Sequence, residues 1–265
     1  MKTVNVLACA ILMLIILMLA GTSHAIIDPE TILAMWLFDE VGGDTTVDNS
    51  GNGHDATLIG NVTWPQGQGK FDGALQFDGI DAYLKAGPVP LPSNSFTATL
   101  WAYIEEQASW AHLLENGSPE FDWWGSFRIQ AGAEVGWFYV ALGNGAAPIA
   151  DNGPNGEMIG WEADKWSHIA VTYDGAKCRL YLNGSEATNF DCNLDVTTSA
   201  GTVLMGCFNE KKNYYKGLLD DVAIFSVALG ADQINNIMNN GLLIETSPVE
   251  PMGKLATTWS HVKGQ

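Results

Sequence analysis

WSHIAVTYDGAKCRLYLNG, residues Trp166 to Gly184, decides the fold. Trp166, His168, Ala170 and Thr172 share one parity, while Ile169, Val171 and Tyr173 share the other. This is the period-two pattern of a strand. Asp174-Gly175 then turns the chain, because Gly and, to a lesser extent, Asp tolerate positive φ. Cys178, Leu180 and Leu182 alternate in a second strand that ends at Asn183-Gly184. The stretch therefore predicts strand, turn, strand, turn, the start of an antiparallel meander.

Working outward, ILAMWLF (Ile32 to Phe38) is a short apolar strand candidate, followed by the turn-rich, acidic DEVGGDTTVDNSGNGHDATLIG. FDGALQFDGIDAYLKAG (Phe71 to Gly87) predicts a strand pair, and Pro88, Pro90 and Pro92 punctuate the connection after it. SFTATLWAYIEE (Ser95 to Glu106) alternates as a strand. Ser126 to Gln130 and Gly136 to Leu142 are two more strand candidates, set among loops rich in Gly, Asn and Pro. GTVLMGCFN precedes KGLLDDVAIFSVALGADQINNIMNNG (Lys216 to Gly241), a strand followed by a short helix over Ala231 to Met238. Gly230 stands where a capping Ser or Thr is usual, so that helix is expected to fray.

In this order the motifs resemble the LamG-like (laminin G type, concanavalin A-like) domains. The carriers are W-x-H-[IV]-A-x-x-Y-D-G with LY-x-NG, the W-x-F-D-E and SGNG opening (Ala56 replacing the usual Gly), and G-A-L-x-F-D-G-x-D-x-Y, which is similar to the G-x-A-L-x-F-D-G-x-D-x-Y of those domains. F-T-x-x-x-W and G-x-[IL]-D-[DE]-V complete the set. The resemblance covers most of Ile32 to Gly241. It implies an all-β fold, a concanavalin A-like jelly-roll β-sandwich of two antiparallel sheets with a short helix on its C-terminal side. It also implies a non-catalytic binding module.

The ends lie outside that resemblance. Lys2, the apolar run Leu7 to Ala20 and Ser23-His24-Ala25 read as a secretory signal peptide over residues 1–25. The run is shorter than the ~20 residues of a spanning helix, so the mature chain is not expected to insert in a membrane. The division expected is 1–25 signal peptide, 26–244 jelly roll, and 245–265 linker and tail, where Pro248 and Pro251 precede GKLATTWSHVKGQ. The protein is thus expected to be secreted, periplasmic or at the cell surface.

Twelve Lys and Arg face 30 Asp and Glu, a net charge of −18. Such a surface repels nucleic acid and anionic glycans and suits neutral ligands, cationic partners or a divalent metal; it also serves plain solubility. Of four cysteines, Cys9 leaves with the signal peptide. Cys178, Cys192 and Cys207 allow one bridge, with Cys178 and Cys192 flanking the Asn183-Gly184 turn, or three free thiols.

Three site chemistries follow. Calcium takes carboxylate and carbonyl oxygens brought together by a glycine turn, and Asp48, Asn49 and Asn52 with the carbonyls around Gly51 and Gly53 offer such a set. Asp220 shares strand parity with Val222 and Ile224 and is expected to point inward. Many LamG-like domains carry one structural calcium, and the resemblance places it on Asp48, Asn52, His54 and Asp220. The plain alternative is an Asx turn and an internally hydrogen-bonded Asp.

Sugar rings stack on aromatic faces while carboxylates and amides take their hydroxyls. Trp123 and Trp124 are adjacent, so an extended chain points them opposite ways. One is a candidate platform, with Glu120, Asp122, Trp110 and Asn116 as hydroxyl partners, unless both pack beneath a loop. Trp36, Trp101 and Trp166 are expected in the core, and His168 as a satisfied buried histidine.

Glycosidase chemistry needs paired carboxyls. Glu120-Phe121-Asp122 begins the laminarinase-type Glu-x-Asp-x-x-Glu pattern, but Gly125 replaces its last acid. No Walker loop, G-x-S-x-G elbow, H-E-x-x-H or C-x-x-C is present. The expected partner is a glycan or a cell-surface or matrix protein. The competing class is an envelope structural or protein-interaction domain without sugar affinity, and a hydrolase or lyase comes after both.

Overall fold

The computed structural model describes residues 27–105, 110–117, 126–132, 136–143, 148–151, 160–192 and 201–242. In chain order the strands are β1 (Ile32–Trp36), β2 (Thr45–Thr46), β3 (Ala56–Ile59), β4 (Leu75–Asp78) and β5 (Tyr83–Val89). Then come β6 (Phe96–Ile104), β7 (Ala111–Gly117), β8 (Phe127–Ala131), β9 (Phe138–Gly143) and β10 (Pro148–Asp151). β11 (Trp166–Tyr173), β12 (Lys177–Leu182), β13 (Ser185–Asp191), β14 (Gly201–Met205) and β15 (Lys216–Phe225) precede one helix, α1 (Ala231–Asn240).

Two antiparallel sheets form. Sheet A runs β1-β15-β6-β11-β12-β13, with β4 also paired to β15. Sheet B runs β10-β9-β8-β7-β14-β5-β3-β2. The alternation read from sequence explains the packing. Phe96, Ala98, Leu100, Ala102 and Ile104 of β6 point inward beside Ile169, Val171 and Tyr173 of β11. Leu84, Ile129, Val140, Val203 and Met205 enter from sheet B, and Phe96 stacks on Phe127 across the gap with ring centroids 5.0 Å apart. Each of the Val, Leu, Ile, Met and Phe side chains among these contributes about 1.5–3 kcal/mol when fully buried. The architecture is the jelly-roll sandwich expected.

The hairpin β11–β12 turns where expected. Asp174 accepts the Ala176 and Lys177 amides, and Gly175 has φ 87°. At the next turn Asn183 and Gly184 both have positive φ, 48° and 80°, as a tight hairpin turn requires.

At the start of α1, Gly230 makes no side-chain cap bond, as expected of glycine, and Gln233 Oε1 accepts the Gly230 N–H at 3.0 Å, the reciprocal half of a capping box. The helix runs to Asn240 and lays Ile234 and Ile237 over Met35, Leu37, Ala223 and Phe225, on the outer face of sheet A.

Asp220 does not point into the sandwich. The register of β15 slips between Asp220 and Ala223, and Asp221 adopts φ 46°. This bulge reverses the parity, so Leu219, Val222 and Ile224 face inward while Asp220 faces outward beside Trp101.

Cys178, Cys192 and Cys207 are buried free thiols. Phe190 stands opposite Cys178, and the Cys192 amide bonds to Ala176 O, so the first two cysteines sit diagonally across the hairpin. Diagonal Cα spacings of about 7–8 Å exceed what a disulfide spans. Cys207 belongs to a separate cluster with Tyr83 and Leu204. Among the described residues no helix is long and apolar enough to cross a membrane.

Candidate functional site

The outer face of sheet B gathers the groups that can hold a ligand. Cross-strand pairing lines up His112, Gln130 and Tyr139 in one row, and Glu115, Arg128, Ala141 and Asp151 in the next. The inward residues between them, Ile129, Val140 and Leu142, anchor these rows to the core. At the start of β7, Trp110 meets Trp137 at 4.9 Å and Tyr139 at 6.0 Å between ring centroids, both edge-on. A Cβ on Gly132 would lie 3.0 Å from Trp137 Nε1 and 3.4 Å from Trp110, so glycine there lets the two indoles close. Of the described tryptophans Trp110, at 36% exposure, is the most exposed; Trp64, Trp137, Trp161 and Trp166 are partly buried.

A polar network supports this aromatic cluster. Tyr139 donates its hydroxyl to Asp151 Oδ2 at 2.8 Å, and the Arg128 guanidinium lies 5.5 Å over the Tyr139 ring. Burial first, and then the bond to Asp151, raise the Tyr139 pKa, so the phenol keeps its proton and donates. In the neighbouring row Gln130 donates to His112 Nε2, which leaves the ring proton on Nδ1 for Glu115 Oε2 at 2.9 Å. Burial lowers the His112 pKa more than Glu115 raises it, so the pair is a neutral-imidazole hydrogen bond. The loop after β14 closes the row: the Asn209 amide donates to Glu115 Oε1, and Phe208 packs on His112 at 4.7 Å.

Both Glu115 oxygens are therefore occupied. Glu115 and Asp151 are also three strand spacings apart, about 14 Å. Retaining glycosidases hold their two carboxyls at about 5–5.5 Å and inverting ones at about 6.5–9.5 Å. These two acids do not form such a pair. The face offers a stacking surface, hydroxyl donors and acceptors, and balanced charge, which is equipment for binding.

The expected site residues divide. Trp110 is at the site, as its exposed aromatic edge rather than as a hydroxyl partner. Asn116 faces the core instead: it is buried, with Nδ2 donating to Val89 O at 2.8 Å. Glu120, Asp122, Trp123 and Trp124 lie outside the described residues; they follow Gly117, which ends β7 at the opposite end from Trp110. Arg128, Gln130, Trp137, Tyr139, His112 and Asp151 were not singled out from sequence. The available signal was the shared parity of Arg128 with Gln130, and of Trp137 with Tyr139, in the two strand candidates.

The residues expected to hold calcium are hydrogen-bonded within the protein. Asp48 Oδ1 accepts the Met35 and Ser50 amides at 3.0 Å each, and Oδ2 accepts the His54 amide at 2.9 Å. Burial pushes the Asp48 pKa up, but these bonds together outweigh it and hold the carboxyl below its ordinary value. Asn52 donates Nδ2 to Ile32 O and Leu33 O, and His54 O accepts Trp36 Nε1–H. This is the Asx-turn alternative, tying the loop to β1.

Asp220 belongs to another group, with Oδ2 on the Phe71 amide at 2.9 Å. Among the described residues no group of three or more His, Cys, Asp or Glu is placed to hold a metal ion. Asp48 and Asp220 thus take their hydrogen bonds in separate groups, Asp48 from its own loop and β1 and Asp220 from the Phe71 amide.

The laminin-G-type model described as the concanavalin A-like lectin/glucanases superfamily matches residues 78–235. The chain belongs to that superfamily. A search of curated protein sequences finds no match.

Solved structures share this superfamily member's fold. Domain 4 of AbnA, a GH43 extracellular arabinanase from Geobacillus stearothermophilus solved with arabinotriose, superposes with TM-score 0.63 at 21% identity, over 78% of this chain and 98% of that one. The botulinum neurotoxin serotype G binding domain gives 0.59 at 16% identity, over 78% and 50%. The binding domain of botulinum neurotoxin DC, in complex with rat synaptotagmin II, gives 0.57 at 13% identity, over 80% and 52%. The chain spans about half the length of the toxin domains.

Proposed function

We propose that the protein is an exported, non-catalytic carbohydrate-binding module whose ligand lies on the outer face of sheet B. Trp110 is the stacking platform, backed edge-on by Trp137 and Tyr139. Arg128 and Asp151, bridged through Tyr139, supply the donor and acceptor that take sugar hydroxyls. The observation that carries this reading is the most exposed indole among the described tryptophans, standing beside a pre-organised polar network. Aromatic surface held rigid before binding adds affinity at little ordering cost. The arabinotriose complex of a module with the same fold supports the choice of a glycan.

Charge points to a neutral sugar. Two cations on this face stand with acids beside them: Arg128 with Asp151 and Glu115 in its row, and Lys85 in an ion pair with Glu210 at 2.7 Å. They leave little net field to attract an anionic glycan into a strongly acidic protein.

A broad glycan array, run in calcium and again in chelator, tests the proposal against Trp110→Ala. Binding of neutral oligosaccharides that falls at least about tenfold in the variant, the equivalent of about 1.4 kcal/mol, supports it. Binding that Trp110→Ala leaves unchanged would move the site elsewhere. No binding to any glycan, with capture of a protein receptor instead, would favour the protein-interaction class to which the synaptotagmin II complex of the toxin domain belongs.

A further inference from the structure

On the other side of the molecule, three strands of sheet A carry an arrangement that the glycan site does not use. Asp220 of β15 pairs with Trp101 of β6, which pairs with His168 of β11, so the three side chains stand in a row on the outer face. All three are at least nine-tenths buried. The Trp101 and His168 rings lie 5.1 Å apart. Phe71 closes the row from above, its amide on Asp220 Oδ2 and its ring edge-on to Trp101 at 6.3 Å. Lys70 places Nζ 4.4 Å from the centre of the Trp101 ring.

Each residue keeps one buried polar atom that no protein group satisfies: Asp220 Oδ1, Trp101 Nε1 and His168 Nδ1. His168 satisfies its other nitrogen on Thr99 Oγ1 at 2.8 Å, and Asp220 its other oxygen on Phe71. The Lys70 and Asp221 amides act on the Asp220 carboxyl from nearby, but only the Phe71 amide forms a hydrogen bond of good geometry. Buried polar groups are ordinarily paired, and isolated exceptions call for an explanation. Three exceptions in one cross-strand row share one explanation.

We infer that the row formed by Asp220, Trp101 and His168 holds an ordered internal water, which bridges at least two of these three atoms. The chemistry selects water over a cation. Trp101 Nε1–H only donates, and Lys70 already sets a positive charge over the same indole. Water accepts from the indole and still donates or accepts at the other two atoms, within the two to four partners an internal water needs. Burial supports this polarity: it lowers the His168 pKa to about 3 and raises that of Asp220 to about 8, so both groups are neutral at neutral pH. With Oδ2 accepting from Phe71, the Asp220 proton sits on Oδ1 as a donor.

A crystal structure of the whole chain, at a resolution that shows ordered solvent, tests this directly. The expected result is one water within hydrogen-bonding distance of at least two of the three atoms, absent from the Asp220→Leu variant. In solution, the Trp101 indole proton is expected to show magnetisation exchange with long-lived water, lost in Asp220→Leu. Three results would overturn the inference: no density in the wild type, a metal ion in its place, or density unchanged in the variant. If Asp220→Leu does not fold, the wild-type density and the indole exchange decide the question alone.

Discussion

Raising the pH from 6.5 to 8.0 should destabilise this protein, and the reason lies in the β15 bulge. Burial, with opposing carboxylates adding to it, pushes Asp220 up to about 8 and Asp221 up to about 7, against an ordinary value of 3.8. Asp220 and Asp221 are 0% and 4% exposed, so solvent does little to screen them. In this window the unfolded chain has already lost both protons, while the folded chain must release them. Stability therefore falls as pH rises, the opposite of a salt-bridged carboxylate.

At 1.36 kcal/mol per pKa unit, the two groups together remove about 2 kcal/mol between pH 6.5 and 8.0. For a domain of this size that alone is a fall in Tm of about 4–8 °C. The window is chosen for its neighbours. Buried His112 and His168 have lowered pKa values and act in the opposite direction, mostly below the window, offsetting roughly 0.4 kcal/mol each near its lower edge, while the buried Cys178 and Cys207 thiols, raised by burial, act at more alkaline pH. The assay is thermal unfolding at fixed ionic strength, with Asp220→Asn expected to lose most of the slope. A Tm that is flat or rising over the window, or an unchanged slope in Asp220→Asn, would refute the reasoning.

Other perturbations follow from the packing and the caps. Asp48→Ala strands three amides, those of Met35, Ser50 and His54; urea unfolding should show a loss of about 2 kcal/mol or more. Leu100→Ala opens a cavity in the middle of the core and should cost about 2–5 kcal/mol in the same measurement. Gln233→Ala removes the acceptor for the Gly230 amide and should cost only about 0.5–1 kcal/mol, seen as a lower Tm with binding intact. Tyr139→Phe leaves Asp151 without its donor while keeping the aromatic surface. It should weaken glycan binding severalfold by titration calorimetry, whereas Trp110→Ala abolishes most of it.

The fold was legible where local chemistry and strand parity agreed. Asp174-Gly175 and Asn183-Gly184 announce their turns, and Phe96 to Ile104 alternates without interruption. β7 was not legible, because the register slips between His112 and Leu114 and its seven residues therefore do not alternate. The outward face of Asp220 is hidden from sequence for the same reason: nothing in Leu-Asp-Asp-Val marks Asp221 as the residue that takes φ 46°. A bulge is settled by the pairing of distant strands, not by its own residues. The site escaped similarly. Trp123-Trp124 draws attention as a pair, while Arg128, Tyr139 and Asp151 meet only because three strands lie side by side.

β15 also governs the order in which the chain can complete itself. Along one edge it pairs with β4 through Lys216 to Leu219 and with β1 through Val222 to Phe225, the bulge dividing the two; along the other edge it pairs with β6. Three strands made early in synthesis thus share a single partner made near the end. Until Phe225 has left the ribosome, β6 lacks one neighbour and β1 and β4 have no place in sheet A. A chain that stops short of Lys216 keeps most of its apolar residues yet cannot close this sheet, and it exposes strand edges that invite association with other chains.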